Sequence, residues 1–269
     1  MFLDFPQTKV PICIEEWTLP SVILAREVTC VLYRPDLNET AEPPHLLLLN
    51  DGQDLAPMRY DSILADLYQK EQIYPVLTAG IKAGNRLAEY GISKQADFKG
   101  RGAQAAAYRQ FITEEFLPAL HQKFNQASFA SYAAAGFSLG ALSAFDIAWH
   151  HSDIFARVGA FSGSFWWRSK EATLKNPDKH RLAHKLIRNS QQTPALQFWL
   201  QAGTQDEKSD RNQNGIIDAI DDTTSLIQEL YRRGYAKEAV KYLELIGGKH
   251  DLPTWSSILP DFLKWAFGR

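Results

Sequence analysis

With 269 residues, 45% of them hydrophobic and 22% charged, the chain has the composition of a globular protein with a substantial core, and no Pro/Gly/Ser-rich linker, repeat or composition shift divides it, so residues 1–269 read as one domain. A formal net charge of −2 argues against a nucleic-acid surface.

The first sixteen residues show no basic segment followed by an apolar one. No apolar run reaches the length of a membrane span, and the sequence as it stands reads as cytoplasmic, with no membrane association. Strand-like runs follow at 12–17 and 27–33, each carrying one cysteine, Cys13 and Cys30. Neither belongs to a CxxC pair, so both read as buried free thiols. The run 45–50 contains Leu46, Leu47, Leu48 and Leu49, a continuous apolar stretch that fits a strand covered on both faces, as in a parallel sheet. Beyond it lie the turn Asn50-Asp51-Gly52-Gln53-Asp54, a helix over 62–70, a strand over 74–80 and a long helix over 103–124. The strand 129–135 runs into Gly136-Phe137-Ser138-Leu139-Gly140 and a helix over 141–150. A strand at 158–161 leads to Trp166 and Trp167, either of which could line a pocket. The Lys-, His- and Arg-rich stretch 169–192 reads as a solvated helix, with His180 and His184 facing solvent. Metalloprotease spacing is ruled out for that pair, because Arg181 stands where a Glu is required. The chain ends with a strand over 196–201, a helix over 223–233 closed by Gly234, a strand over 241–246 and a helix over 254–267. Two N-terminal strands followed by repeated strand–helix units predict an α/β fold: a mainly parallel central sheet of about eight strands, helices on both faces, and a ligand site at the carboxyl ends of the strands.

Gly-x-Ser-x-Gly between a strand and a helix is the most informative of these features. The sharp turn lifts the Ser138 hydroxyl clear of the sheet, the glycines allow close approach of neighbouring segments, and the new helix aims its free N–H groups at the same spot. A serine hydroxyl needs a base, and the base an orienting carboxylate, in the chain order Ser, acid, His. Asp206 follows the strand 196–201 and is taken as the acid, with Glu207 and, more remotely, Asp251 as competitors. His250 follows the last strand in a glycine-rich loop and is taken as the base. The N–H of Leu139 is one expected oxyanion donor, and that of Gln53, the residue after Asp51-Gly52, is a candidate for the other, the alternative being an ordinary Asp-Gly turn. No cofactor is needed for this chemistry.

Residues 210–221 read as a calcium loop inserted just after the acid. Side-chain oxygens of Asp210, Asn212, Asn214, Asp218 and Asp221 fall at positions 1, 3, 5, 9 and 12, Gly215 makes the turn at position 6, and the Ile216 carbonyl supplies position 7. Asp221 in place of Glu argues for modest affinity and a structural role, with the ion pinning the segment that carries Asp206. The loop resembles those of EF-hands and dockerins. Dockerin-style partner binding is not expected, because dockerins duplicate the loop.

From about Val28 onward the chain resembles the putative-esterase family of the α/β-hydrolase superfamily, and within it the enterochelin (siderophore) esterase-like branch. The resemblance rests on Leu48-Leu49-Asn50-Asp51-Gly52-Gln53, Asn85-Arg86-Leu87-Ala88-Glu89-Tyr90, Ser162-Gly163-Ser164-Phe165-Trp166-Trp167 and Gly247-Gly248-Lys249-His250-Asp251. Ala141 departs from a glycine that the family often has there, and alanine suits a helix start. Arg86 and Glu89 are expected to pair and brace the loop after the fourth strand. The resemblance implies an α/β-hydrolase fold and a serine carboxylic-ester hydrolase acting on a small-molecule ester through an acyl-enzyme, with Ser138, Asp206 and His250 as triad and Gln53 and Leu139 as donors. Acyl transfer on the same fold and a non-catalytic ligand-binding scaffold remain alternatives.

Overall fold

The four consecutive leucines at 46–49 are all buried, and they divide between two cores: Leu46 and Leu48 on one face of the sheet, Leu47 and Leu49 on the other. A strand with apolar side chains on both faces needs cover on both sides, and the structure supplies it. The computed structural model describes residues 10–36 and 43–269. Its eight strands are β1 Ile12–Ser21, β2 Arg26–Pro35, β3 His45–Asn50, β4 Val76–Ile81, β5 Tyr132–Phe137, β6 Arg157–Phe161, β7 Gln197–Gln205 and β8 Val240–Lys249. They form one sheet in the order β1-β2-β4-β3-β5-β6-β7-β8. The β1/β2 and β2/β4 pairs are antiparallel and all the others parallel.

Helices α1 Tyr60–Gln69 and α8 Leu252–Phe267 cover one face through residues such as Leu64, Trp255 and Phe262. The other face is covered by α3 Ala105–Phe111, α4 Leu117–Lys123, α5 Leu139–His150, α6 Leu182–Asn189 and α7 Asp218–Arg233; the short α2 Arg86–Glu89 follows β4. Residues 103–124, expected as one helix, divide around a π-turn over Ile112–Phe116 in which the Leu117 N–H donates to the Ile112 carbonyl. Pro118 has no N–H for the carbonyl four residues back, and the widened turn absorbs that loss.

Because β4 and β5 flank β3 on opposite sides, the chain diverges at the carboxyl end of β3 and leaves a crevice there. At the other side of that rim, β7 and β8 run several residues past their expected ends. Gln205 pairs with Lys249, so Asp206 and His250 follow equivalent positions on neighbouring strands. A bulge makes this register: between the pairs Gly203–Leu245 and Gln205–Lys249, residues 246–248 stand opposite Thr204 alone, with Gly247 at φ 74°. Cys13 and Cys30 are free, and burial pushes the Cys30 thiol up to about 12.

The stretch 169–192 is not solvated as expected. It contributes α6, whose Leu182, Ala183, His184, Leu186 and Ile187 are buried, and a charged hub beside it. The nearly buried Asp222 on α7 accepts from Arg181 Nη1 at 2.6 Å and from Arg211 Nη1 and Nη2 at 2.8 and 2.5 Å. His184, expected on the surface, is 1% exposed with Nε2 3.0 Å from Ser225 Oγ; burial, then Arg181 and Arg188, hold its pKa well below the usual imidazole range. His180 remains half-buried. Charge alone made the segment read as solvated; the counter-charges Asp222 and Glu229 that pair with Arg181 and Arg188 lie 41 residues downstream. Removing Asp222 would leave two guanidinium groups short of a partner. Asp222→Ala is expected to cost about 3–5 kcal/mol in urea unfolding, against less than about 1 kcal/mol for an exposed pair such as Lys70–Asp66.

Candidate active site

At the end of β5 the chain turns at Ser138, φ 54° and ψ −117°, and α5 begins at once with Leu139. A positive φ at a serine costs of order 1–3 kcal/mol and persists only where its surroundings enforce it. Here they do. A Cβ on Gly136 would lie 2.5 Å from the Gly140 carbonyl group, and one on Gly140 would lie 2.6 Å from Asp51 Oδ2, so both glycines are required by close approach. The Ser138 N–H donates to Phe161 O at 2.8 Å, and Ser138 O accepts from the Ser164 N–H at 3.0 Å, fixing the residue against β6 and the loop after it.

The fold brings His250, 112 residues further along, to this hydroxyl: Nε2 lies 2.9 Å from Ser138 Oγ. His250 sits between the end of β8 and Asp251, the N-cap of α8. Its ring packs edge-on to Trp255 at 5.1 Å. Trp255 is itself fixed, stacked on Phe137 and donating from Nε1 to Ser162 Oγ at 2.9 Å. Partial burial holds the His250 pKa below its ordinary value, the negative charge of Asp206 opposes this, and the positive charge of Arg86 adds to it.

Asp206 shares a cavity of about 270 Å³ with His250, Ser162, Gly163, Trp166, Glu207 and Ala219. Its Oδ2 accepts from the Gly203 N–H at 3.0 Å, while Oδ1 is buried without a hydrogen-bond partner. No hydrogen bond joins it to His250 in this state; the two interact through space. Burial raises the Asp206 pKa, and the Gly203 amide, the Ser162 hydroxyl and His250 pull it back. The competing acids are also nearby: Glu207 lines the same cavity, and Asp251 acts on His250 through space. Burial and the nearby Asp218 and Asp222 raise the Glu207 pKa. Asp251 accepts from the Thr254 N–H at 3.0 Å and caps α8.

Leu139 is the first residue of α5, so its N–H has no acceptor within the helix. Gln53 lies in a single 3₁₀ turn over Gly52–Asp54, started by Asp51 at φ 64°. Two cross-links press this turn against the start of α5. Asn50 Nδ2 donates to Gly140 O at 2.8 Å, with Asn50 Oδ1 accepting from Tyr108 Oη at 2.7 Å. Arg86 grips Asp51 with two bonds, Nε to Oδ1 at 2.9 Å and Nη2 to Oδ2 at 3.0 Å, and reaches Phe137 O at 3.3 Å. Arg86 and Glu89 therefore do not pair with each other: Glu89 is held by Arg26 at 2.7 and 2.6 Å. The two side chains leave the short α2 toward different partners, and sequence adjacency hid this. Asn50, Ser162 and Trp255 were missed as supports, because they act across elements that no local pattern connects.

Trp166 is 37% exposed and lines the cavity; Trp167 does not. Trp167 is 1% exposed, its ring edge packed against Gly91 and Gly102, where an added Cβ would lie 3.0 and 2.9 Å away.

The loop 210–221 folds on its own oxygens. Asp210 accepts from the N–H groups of Asn214 and Gly215 at 3.1 and 2.8 Å, Gly215 makes the turn at φ 84°, and Asn212 Nδ2 donates to Asp221 Oδ2 at 3.0 Å. Asp218 opens α7, five residues before the expected helix start, and faces Arg211 at 3.2 Å. Among the described residues, no three His, Cys, Asp or Glu side chains are grouped as a metal site. Any cation here would rely on the asparagine oxygens and the Ile216 carbonyl alongside Asp210 and Asp221.

A mainly parallel eight-stranded sheet, a serine elbow after β5 and a histidine after β8 define an α/β-hydrolase fold. The model of the Esterase family, described as "Putative esterase", matches residues 21–266, and the chain belongs to that family. Among curated proteins it is similar to the uncharacterized protein YbbA of Bacillus subtilis (strain 168), at 26% identity over 131 residues, 47% of this chain and 52% of that one. Similar solved structures include the enterochelin esterase of Shigella flexneri (TM-score 0.73, 22% identity, 97% of this chain and 59% of that one). Another is an IroE-like serine hydrolase from Shewanella oneidensis (TM-score 0.70, 18% identity, 95% and 80%). The chain thus spans about half the length of the curated relative and about three-fifths of the Shigella enzyme.

The electrostatics give opposite signs for two neighbours of His250. Asp206→Asn is expected to lower the imidazole titration midpoint, and Arg86→Met to raise it, as followed by NMR of the ring protons. Shifts of the same sign would contradict the arrangement described.

Proposed function

We propose that the protein is a serine carboxylic-ester hydrolase acting on a small-molecule ester. One observation carries this reading: the strained elbow presents Ser138 Oγ 2.9 Å from His250 Nε2. His250 is below its ordinary pKa and so is neutral near pH 7, the state a base requires. It takes the Ser138 proton as Oγ attacks the ester carbonyl. The imidazolium that forms is stabilised by Asp206, whose unpartnered Oδ1 is free to accept from Nδ1 as charge develops; such bonds are often loose before substrate binds. The N–H groups of Leu139 and Gln53 bind the tetrahedral oxyanion. His250 returns the proton to the leaving alcohol, and water, activated by the same base, then hydrolyses the acyl-enzyme. The names of the structural neighbours make siderophore lactones one class of ester to screen.

A fluorophosphonate probe is expected to label Ser138. Ser138→Ala is expected to lower turnover of a p-nitrophenyl ester by about 10⁴-fold or more. A loss of only a few-fold would remove the nucleophile from the mechanism. Acyl transfer shares the first half-reaction, and product analysis with competing alcohols separates the two outcomes.

For the loop 210–221, the mutual bonding of Asp210, Asn212, Asn214 and Asp221 supports a weak calcium site that would steady the segment between Asp206 and α7. Millimolar calcium is expected to raise the melting temperature relative to chelator; identical midpoints would remove the ion.

A further inference from the structure

The cavity lined by His250 has a neighbour. Trp166 and Glu207 are common to both, and the second, of about 340 Å³, is walled in addition by Phe98, Arg168, Glu171, Ala172, Arg211 and Asp218. Its aromatic wall is fixed in place. Arg101 lies over the Trp166 ring at 5.1 Å, and Arg101 is held by the buried Asp97, Nε to Oδ2 at 2.7 Å and N–H to Oδ1 at 2.8 Å. The indole therefore keeps its orientation although 37% of the residue is exposed.

Arg168 is the unusual group. It is 5% exposed, yet no carboxylate among the described residues pairs with it. Nε donates to Trp166 O at 2.9 Å and Nη1 to Pro177 O at 2.6 Å, while Nη2 has no acceptor. Burial, then Arg211, holds its pKa below the ordinary value. Nη2 is not among the buried atoms that lack a partner, so it meets the water of the cavity, and an incoming oxygen would replace that water as its acceptor. The other walls decide which oxygen. Glu171, Glu207 and Asp218 would repel an anion, so a neutral carbonyl or hydroxyl oxygen is the suitable ligand. The ester's orientation follows from His250. Its Nε2 returns the proton to the leaving oxygen, and its ring lines the first cavity, so the alcohol part of the ester departs into this space.

We propose that the second cavity is a subsite for the alcohol part of the ester, taking a flat ring against Trp166 with a neutral oxygen acceptor at its far end bonded to Arg168. This rests on the hydrolase reading, and binding measurements separate the two. Phenol and 4-acetamidophenol are matched probes, the second carrying an amide carbonyl opposite the hydroxyl. By calorimetric titration the full chain is expected to bind 4-acetamidophenol about tenfold more tightly than phenol, the value of one hydrogen bond to a charged donor. Ser138→Ala is expected to keep that difference, Arg168→Met to remove it, and Trp166→Ala to weaken both probes. With phenyl acetate and 4-acetamidophenyl acetate, kcat/KM is expected to show the same preference. Equal affinities for the two phenols, or a preference that survives Arg168→Met, would overturn the subsite. Tighter binding of 4-hydroxybenzoate than of 4-acetamidophenol would overturn the neutral acceptor. Should Arg168→Met fail to fold, Trp166→Ala decides, and unchanged binding of both phenols by that variant overturns the proposal. A binding preference of the expected kind without hydrolysis of either acetate would sink the hydrolase reading and leave the subsite standing.

Discussion

Everything at the rim of this sheet depends on keeping Ser138 in a backbone conformation that serine disfavours. The cost is modest, but the turn holds only if the segments around it cannot relax. Gly136 and Gly140 touch each other, Gly140 touches Asp51, and Asn50 and Arg86 bond the carbonyls of Gly140 and Phe137 on either side of the serine. The loop after β3 and the elbow after β5 thus form one clamped unit. This is why strained residues cluster there: Asp51 at φ 64° and Ser138 at φ 54° brace one another, and Ser162 at φ 46° follows the next strand. The N–H groups of Leu139 and Gln53 are carried on these two segments, which are fixed against each other.

The same clamp sets the electrostatics. Arg86 satisfies the buried Asp51, and its residual positive field reaches His250, where it works with burial to favour the neutral base. Asp206 acts in the opposite direction. The balance fits the base role proposed for His250, uncharged at rest and stabilised once protonated. In the proposed hydrolase mechanism, the open Oδ1 of Asp206 would make its bond to Nδ1 only as charge appears.

Much of this was legible in the sequence. Continuous apolar runs such as 46–49 report burial on both faces, and alternation of strands with helices reports a parallel sheet, because both are local consequences of where side chains point. The elbow was legible because its glycines mark steric contacts that only glycine allows. What was not legible depends on distant partners. The pairing of Arg86 with Asp51 and of Glu89 with Arg26 cannot be read from a motif containing both residues. The burial of His184 and Arg181 follows from Ser225 and Asp222, more than forty residues on. Of the two adjacent tryptophans, packing against Gly91 and Gly102 decides which is core and which faces the cavity.

Asp206 and Glu207 show how one peptide serves two neighbourhoods. The β7/β8 bulge delivers the chain to the rim, and consecutive side chains then diverge, Asp206 toward the imidazole and Glu207 toward the carboxylates at the start of α7. The segment that positions the acid is therefore continuous with the charged hub of Arg211, Asp218 and Asp222, and that hub also carries the loop 210–221. Arg211 bonds Asp178 at 2.8 Å as well, which draws the segment after Trp167 into the same network. Asp206, the charged hub and the second cavity thus lie together on the β7 side of the rim, facing the clamped serine segment on the β3–β5 side. His250, carried in from β8, is the group that touches both.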